Sequence, residues 1–262
     1  MNRWMWKSTL REIRASLGRY MAILAIIALG VGFFCGLKVV REAMLLTGDE
    51  YLEKQAFYDE QLYSPLGFSA EDAEAIEDVS GVVAADAAYS EDFIITNQEG
   101  NDVVMKALSI TDDVNLPNVI AGRMPEKANE CLGDRRYFTE EDIGSTVLLA
   151  DTNAEETLDA FAYEEYTVVG LADSPLYLNF ERGSTSIGSG QVAGFVLIPE
   201  DGFNKERYDD IYVRLDTGET AYSEGYDEAE AALVGGVEAA LEERVDPVSY
   251  THLRAHETCA DL

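Results

Sequence analysis

The sequence predicts an α+β chain: one transmembrane helix, then a large extracytoplasmic α+β domain with a β-rich part set inside it. Three observations carry this. Tyr20 to Leu37 is eighteen residues without a charge. The residues before that run are basic and those after it are acidic. The remainder reads as strand, helix and hairpin, then short strands, then a strand and a long helix.

The apolar run comes first. Eighteen helical residues reach about 27 Å, and Val39 and Val40 extend the run past Lys38 to about 31 Å, matching a hydrocarbon core of ~30 Å. Residues 1–41 carry seven Lys/Arg and one acid, Glu12. Residues 42–247 carry eleven Lys/Arg and forty-seven Asp/Glu, a net of −36. Basic residues flanking a span mark its cytoplasmic side, so residues 1–19 are expected in the cytoplasm and the acidic domain outside the cell membrane. That domain repels nucleic acid. A cleaved signal peptide is the rival reading of 20–40. Signal h-regions are shorter, and Cys35-Gly36-Leu37-Lys38-Val39 lacks a small-x-small cleavage site. Of three cysteines, Cys35 lies in the span and Cys131 stands alone in the outer domain, so no disulfide is expected within it.

The third cysteine belongs to a tail of different character. Residues 248–258, Val-Ser-Tyr-Thr-His-Leu-Arg-Ala-His-Glu-Thr, match eleven consecutive codons of a common transposase sequencing adapter. Residues 248–262 are therefore read as an adapter-derived artefact, with the natural chain continuing past 247. His252, His256 and Cys259 have metal-ligand spacing, but they fall in this tail and no metal site is expected.

Each element has its own signature. Trp6, Leu10, Ile13 and Leu17 share one helical face beside a stripe of Lys7, Arg11 and Arg14, with Trp4 and Trp6 at headgroup depth. This is an amphipathic helix on the inner leaflet or a positive flank that sets topology. In the span Ala28, Gly32 and Gly36 recur every four residues, a face for close helix packing or the ordinary glycine of membrane helices. Residues 41–56 extend the helix outward. Phe57 to Leu66 reads as a strand closed by Pro65-Leu66-Gly67. Ser69 and Asp72 form a capping box that opens a helix ending before Ser80-Gly81. Residues 91–110 read as a hairpin around Asn97-Gln-Glu-Gly-Asn101. Residues 112–205 read as short strands at 146–150, 166–171, 176–180 and 194–198. The Gly-rich stretch 183–190 lacks the Lys-Ser/Thr ending of a phosphate-binding loop. Asp210 to Leu215 alternates as a strand. Ser223 to Arg244 reads as a long helix with Ala229, Leu233, Val237 and Leu241 on one face, weakened by Gly235-Gly236.

No chemistry is nominated. Acidic pairs such as Asp112-Asp113 and Glu140-Glu141-Asp142 lack the alternating ligands and glycine turn of a calcium loop. Outside the tail there is no histidine, so triads and transition-metal sites have no support. The chain is not expected to be an enzyme, and no cofactor is expected in it.

Trp6-Lys-Ser-Thr-Leu-Arg-Glu-Ile-Arg-Ala-Ser-Leu-Gly-Arg-Tyr20, running straight into Met21 to Phe34, resembles the start of an FtsX-like (MacB-type) ABC transporter permease. Phe57-Tyr-Asp59, Leu66-Gly-Phe-Ser69, Val79-Ser-Gly-Val82, Ala88-Tyr-Ser90 and Val119-Ile-Ala-Gly-Arg-Met-Pro125 are similar to segments of that family's extracytoplasmic core domain. The resemblance covers 1–247. It implies a core domain over 41–247, with a porter-like α+β part from 57–111 and 206–246 and a β-rich insertion over 112–205. It further implies a second permease copy, a separate cytoplasmic ATPase that binds the ATP, and several later spans, which this chain lacks. Family substrates include lipoproteins, lipids, peptides and toxins, and some members signal instead. The alternative is a singly anchored extracytoplasmic sensor or binding domain.

Overall fold

The computed structural model describes residues 11, 16–97, 100–223, 225–244 and 251–254. Two compact units divide the chain, Met1–Glu50 and Tyr51–Leu262.

Helix α1, Leu17–Lys54, is 38 residues long, about 57 Å at 1.5 Å per residue. It contains no proline, and its apolar window is wholly exposed. Among the described residues it is the one helix long and apolar enough to cross a membrane. The continuation through 41–54 agrees with the sequence reading.

The outer unit holds two sheets. The first runs β11-β1-β10-β2, with all pairs antiparallel. Its strands are β1 (Glu60–Phe68), β2 (Val82–Ala88), β10 (Tyr208–Leu215) and β11 (Thr251–Arg254). Helices α2 (Ala70–Glu77) and α4 (Tyr226–Arg244) cover one face. The capping box is present: the Ser69 N–H and hydroxyl both donate to Asp72 Oδ2, at 2.8 and 2.9 Å. Period-two alternation sends Ile211, Val213 and Leu215 into the core beneath the helices and Tyr212 to the opposite face. Phe68, Ile76 and Leu241 close that core, each side chain contributing about 1.5–3 kcal/mol by burial. Gly236 does not break α4. A Cβ there would sit 3.0 Å from Val79 Cγ1, so the glycine lets the end of α2 approach.

The second sheet runs β3-β4-β9-β6-β8-β5, with β7 also on β8. Its strands are β3 (Ser90–Thr96), β4 (Asp102–Ser109), β5 (Asn118–Gly122), β6 (Glu130–Asp134), β7 (Thr146–Leu148), β8 (Glu165–Asp173) and β9 (Val192–Ile198); the short helix α3 spans Glu155–Asp159. Leu149 bridges Ile95, and the Ala150 N–H donates to the Ile94 carbonyl, so the sheet curls until β3 meets the chain after β7. Phe93, Met105, Cys131, Tyr166, Val196 and Ile198 fill the inside. Burial pushes the Cys131 thiol up to about 12, so it packs as an inert apolar group.

Three expectations are corrected. The hairpin β3–β4 belongs to the second sheet, so the sheets divide at Tyr89 and not at 111. Residues 176–180 form no strand; Tyr177 instead stacks on Phe195 at 5.0 Å, and the Arg182–Asp134 ion pair holds the segment's end. Pro65–Gly67 does not close β1 but bulges within it, between the pairs at Tyr63 and Phe68.

Candidate functional site

A strained backbone junction lies where α1 ends. The Ala56 N–H donates to the Glu53 carbonyl at 3.1 Å and the Phe57 N–H to the Leu52 carbonyl at 2.9 Å. This pattern places the residue after the helix in the left-handed region, usually as glycine. Here it is Ala56, at φ 48°. Among the described residues one other non-glycine has positive φ, Asn115 at 55°. The two are bonded to each other: the Asn115 N–H donates to the Ala56 carbonyl at 2.8 Å. The Leu116 N–H donates to the Gln55 carbonyl at 2.8 Å, and the Tyr58 N–H to Asn115 Oδ1 at 3.2 Å. An alanine in this region costs about 1–2 kcal/mol, and such strain persists only where the surroundings impose it.

The surroundings do impose it. Asp86 on β2 accepts the Asp113 and Val114 N–H groups, both at 2.8 Å, which shapes the loop that presents Asn115. Asp59 accepts the Leu215 N–H at 2.7 Å and the Tyr226 hydroxyl, tying the same chain segment to β10 and α4. Arg214 reaches Glu53 at 3.0 Å, an exposed pair worth little by itself. Burial raises the carboxyl pKa of both Asp59 and Asp86, although backbone N–H donors oppose it. The helix end is thus stapled to the first sheet, to α4 and to the loop between β4 and β5.

A second junction lies where the chain leaves the first sheet at Tyr89 and returns at Tyr208. The two rings stack at 4.5 Å. Lys205 Nζ lies 2.7 and 2.8 Å from the Asp209 carboxylate, 3.1 Å from Glu91 and 3.2 Å from the Ser90 carbonyl. The Ser90 N–H donates back to Asp209 at 2.8 Å. One ammonium thus clamps the outgoing strand to the returning one.

Beside the clamp, Asp210 is buried and accepts Gln61 Nε2 at 2.8 Å. Burial pushes its carboxyl from 3.8 to about 6. The folded state therefore keeps a proton that the unfolded chain releases. The associated stability is full below pH 3.8 and lost as pH rises through about 6. Moving from pH 7 to pH 5 recovers about 1.4 kcal/mol at this residue. Thermal melts are expected to shift upward from pH 7.5 to 5, and Asp210→Asn to flatten that rise. An unchanged pH slope in the variant would remove Asp210 as its source.

Sequence-predicted sites fall elsewhere. Trp4, Trp6, Lys7, Leu10, Ile13 and Arg14 lie outside the described residues. Arg11 is helical and exposed, and Leu17 opens α1. Ala28, Gly32 and Gly36 are exposed, and a Cβ on either glycine would meet nothing within 4 Å. No cluster of three His, Cys, Asp or Glu is placed to hold a metal among the described residues.

A family model, the MacB-like periplasmic core domain, matches residues 21–224. The chain belongs to this family. A MacB-like core domain of an ABC transporter permease thus follows the apolar helix, as an extracytoplasmic domain on a membrane anchor. Among solved structures the core domain is similar to the extracellular domain of the ABC-type transporter YknZ from Gram-positive bacteria. Identity is 13% and the TM-score 0.45, covering 75% of this chain and 99% of that one. It is also similar to the periplasmic region of MacB from Actinobacillus actinomycetemcomitans. There identity is 9% and the TM-score 0.45, covering 80% and 94%. No curated protein matches the chain.

Proposed function

We propose that the chain is the permease subunit of an ABC transporter of the FtsX/MacB type. Residues 1–19 face the cytoplasm, 20–40 span the bilayer, and the core domain over 41–247 receives motion driven by a separate cytoplasmic ATPase. The observation that carries this is the staple. The end of α1, from Leu52 onward, enters a strained, multiply bonded junction within the outer unit, held by the first sheet, by α4 and by the loop between β4 and β5. The family supports the coarse role. The acidic outer domain and basic leader support the orientation.

Several parts of this reading go together. Trp4, Trp6, Lys7, Leu10, Arg11, Ile13, Arg14 and Leu17 rest at the inner leaflet. Ala28, Gly32 and Gly36 meet another membrane helix, and a second permease copy completes the complex. Residues 248–262 are foreign to the natural chain. The pairing of β11 with β1 does not speak for its origin, because an open strand edge accepts any extended segment within reach.

Sequencing the source gene through codon 247 tests the reading together with co-purification. Further apolar spans, and an ABC ATPase that co-purifies with the full-length product, are the expected result. A stop codon soon after 247 with no ATPase bound would leave only a singly anchored binding domain.

A further inference from the structure

We infer that the groove between the β1 bulge and α3 binds a partner polypeptide segment that carries lysine or arginine beside an aliphatic side chain. The groove is open to solvent and has a volume of about 660 Å³, within the roughly 300–1,000 Å³ common to ligand clefts. The first sheet contributes the bulge residues Tyr63 to Gly67. The second contributes Glu91 of β3, together with α3 and Ala160, whose side chain packs in that sheet's core. Residues Asn204 to Asp209, where the chain returns to the first sheet, complete the lining.

The charge of the lining is lopsided. Five of its residues are carboxylates, and two, Lys205 and Arg207, are basic. Lys205 is already shared between Asp209 and Glu91 and offers no free charge. Glu156, Asp159 and Glu206 are exposed and form no ion pair with a described residue. Arg207 is the one lining cation left against them, and its guanidinium reaches the Gly67 carbonyl at 3.4 Å. The groove therefore presents net negative charge, which favours a cationic partner and repels an acidic one.

The apolar part of the groove is held in place by local backbone structure. β1 leaves its pairing with β10 between Tyr63 and Phe68. Within that bulge the Leu66 N–H donates to the Ser64 hydroxyl at 3.2 Å, and Gly67 turns the chain at φ 72°. The bulge keeps Leu66 at 69% and Tyr63 at 46% exposure beside the carboxylates. Lysine and arginine suit such a place, since the stem covers apolar surface while the head reaches a carboxylate. An aliphatic neighbour on the same segment covers Leu66. An inorganic cation would satisfy the carboxylates and leave Leu66 in water. The occupant touches both sheets, so it favours the arrangement in which the groove is formed. This inference does not depend on the permease reading.

Fluorescence anisotropy on the full chain in zwitterionic lipid nanodiscs tests it, with empty nanodiscs as the blank. The probe is a labelled, capped peptide of alternating lysine and leucine. The double reversal Glu156→Lys with Asp159→Lys is expected to weaken probe binding about tenfold, and Leu66→Ser about fivefold. The same reversal outside the groove, Glu140→Lys with Glu141→Lys, is expected to change it less than about twofold. All five changed side chains are exposed, so the fold withstands them. Equal weakening by the two reversals would overturn the proposal, because the domain's overall charge would then be the attractant. Leu66→Ser binding the probe as tightly as the wild type would overturn it as well. So would displacement of the probe by an equal concentration of spermine, because charge alone would then suffice.

Discussion

Replacing Arg182 by methionine is expected to destabilise the outer domain by about 3–5 kcal/mol, the range for breaking one partner of a buried ion pair. Arg182 Nε lies 2.6 Å from Asp134 Oδ2, and a terminal guanidinium nitrogen lies 3.0 Å from Oδ1. Their side chains are 5% and 0% exposed. The other terminal nitrogen donates to the Asn179 carbonyl at 3.0 Å, and the guanidinium lies 5.1 Å from the Tyr177 ring and 5.4 Å from Phe195. Removing the guanidinium strands the Asp134 carboxylate, which keeps, among the described residues, the Arg136 N–H at 3.0 Å. The pair also pins residues 174–182 over the sheet, where Tyr177 stacks on Phe195 at 5.0 Å. Hydrogen exchange in that segment is therefore expected to accelerate in the variant. Adding Asp134→Asn should restore more than half of the loss, because the uncompensated charge goes with it. Urea melts of the three variants supply the comparison. A loss below about 1 kcal/mol for Arg182→Met would mean that water already reaches Asp134.

Features that repeat locally are legible in the sequence, and contacts between distant residues are not. The Ser69–Asp72 box, the alternation in β10 and the hairpin at 91–110 each depend on neighbours within a few residues, and each is present. The staple depends on Ala56 meeting Asn115. Nothing marks an alanine as left-handed, and asparagine is the one available hint, since it tolerates that region. The Lys205 clamp joins positions 114 residues apart, and the Arg182–Asp134 pair spans 48. Single charges at such separations carry no period. The strand expected at 176–180 failed for a related reason. Its composition suits a strand, but the stack of Tyr177 on Phe195 and the Arg182–Asp134 pair hold the segment by side-chain contacts, which are a property of tertiary structure. By propensity Gly235-Gly236 weakens the helix, since propensity counts only the helix's own backbone, whereas the packing of Gly236 against Val79 favours the missing side chain.

Gly122→Ala is expected to cost more than about 3 kcal/mol, from two causes that separate experimentally. Gly122 ends β5 at φ 77°, where an alanine costs about 1–2 kcal/mol. A Cβ there would also lie 2.3 Å from the Val169 carbonyl oxygen and 2.6 Å from Gly170 Cα. These are backbone atoms of β8, so relief requires moving a strand paired on both sides. The neighbouring bonds then suffer as well. The Arg123 N–H donates to the Val169 carbonyl at 3.1 Å. Arg123 forks onto Glu130 at 2.7 and 2.8 Å and holds its carboxyl down to about 2. The Gly-Arg pair at 122–123 is thus one unit: the glycine lets the strands touch, and the arginine locks the turn that follows. Gly144 supplies the control, with φ 96° and nothing within 4 Å of a Cβ. Gly144→Ala isolates the conformational cost, and the excess in Gly122→Ala measures the close approach. Gly170→Ala tests the same contact from the other strand, where a Cβ would lie 2.7 Å from the Arg123 carbonyl oxygen without a positive φ. The 122/170 double variant should cost less than the sum of the singles, because the first substitution already parts the strands. Equal losses for Gly122→Ala and Gly144→Ala would show that β5 and β8 separate freely, and that the glycine serves the turn alone.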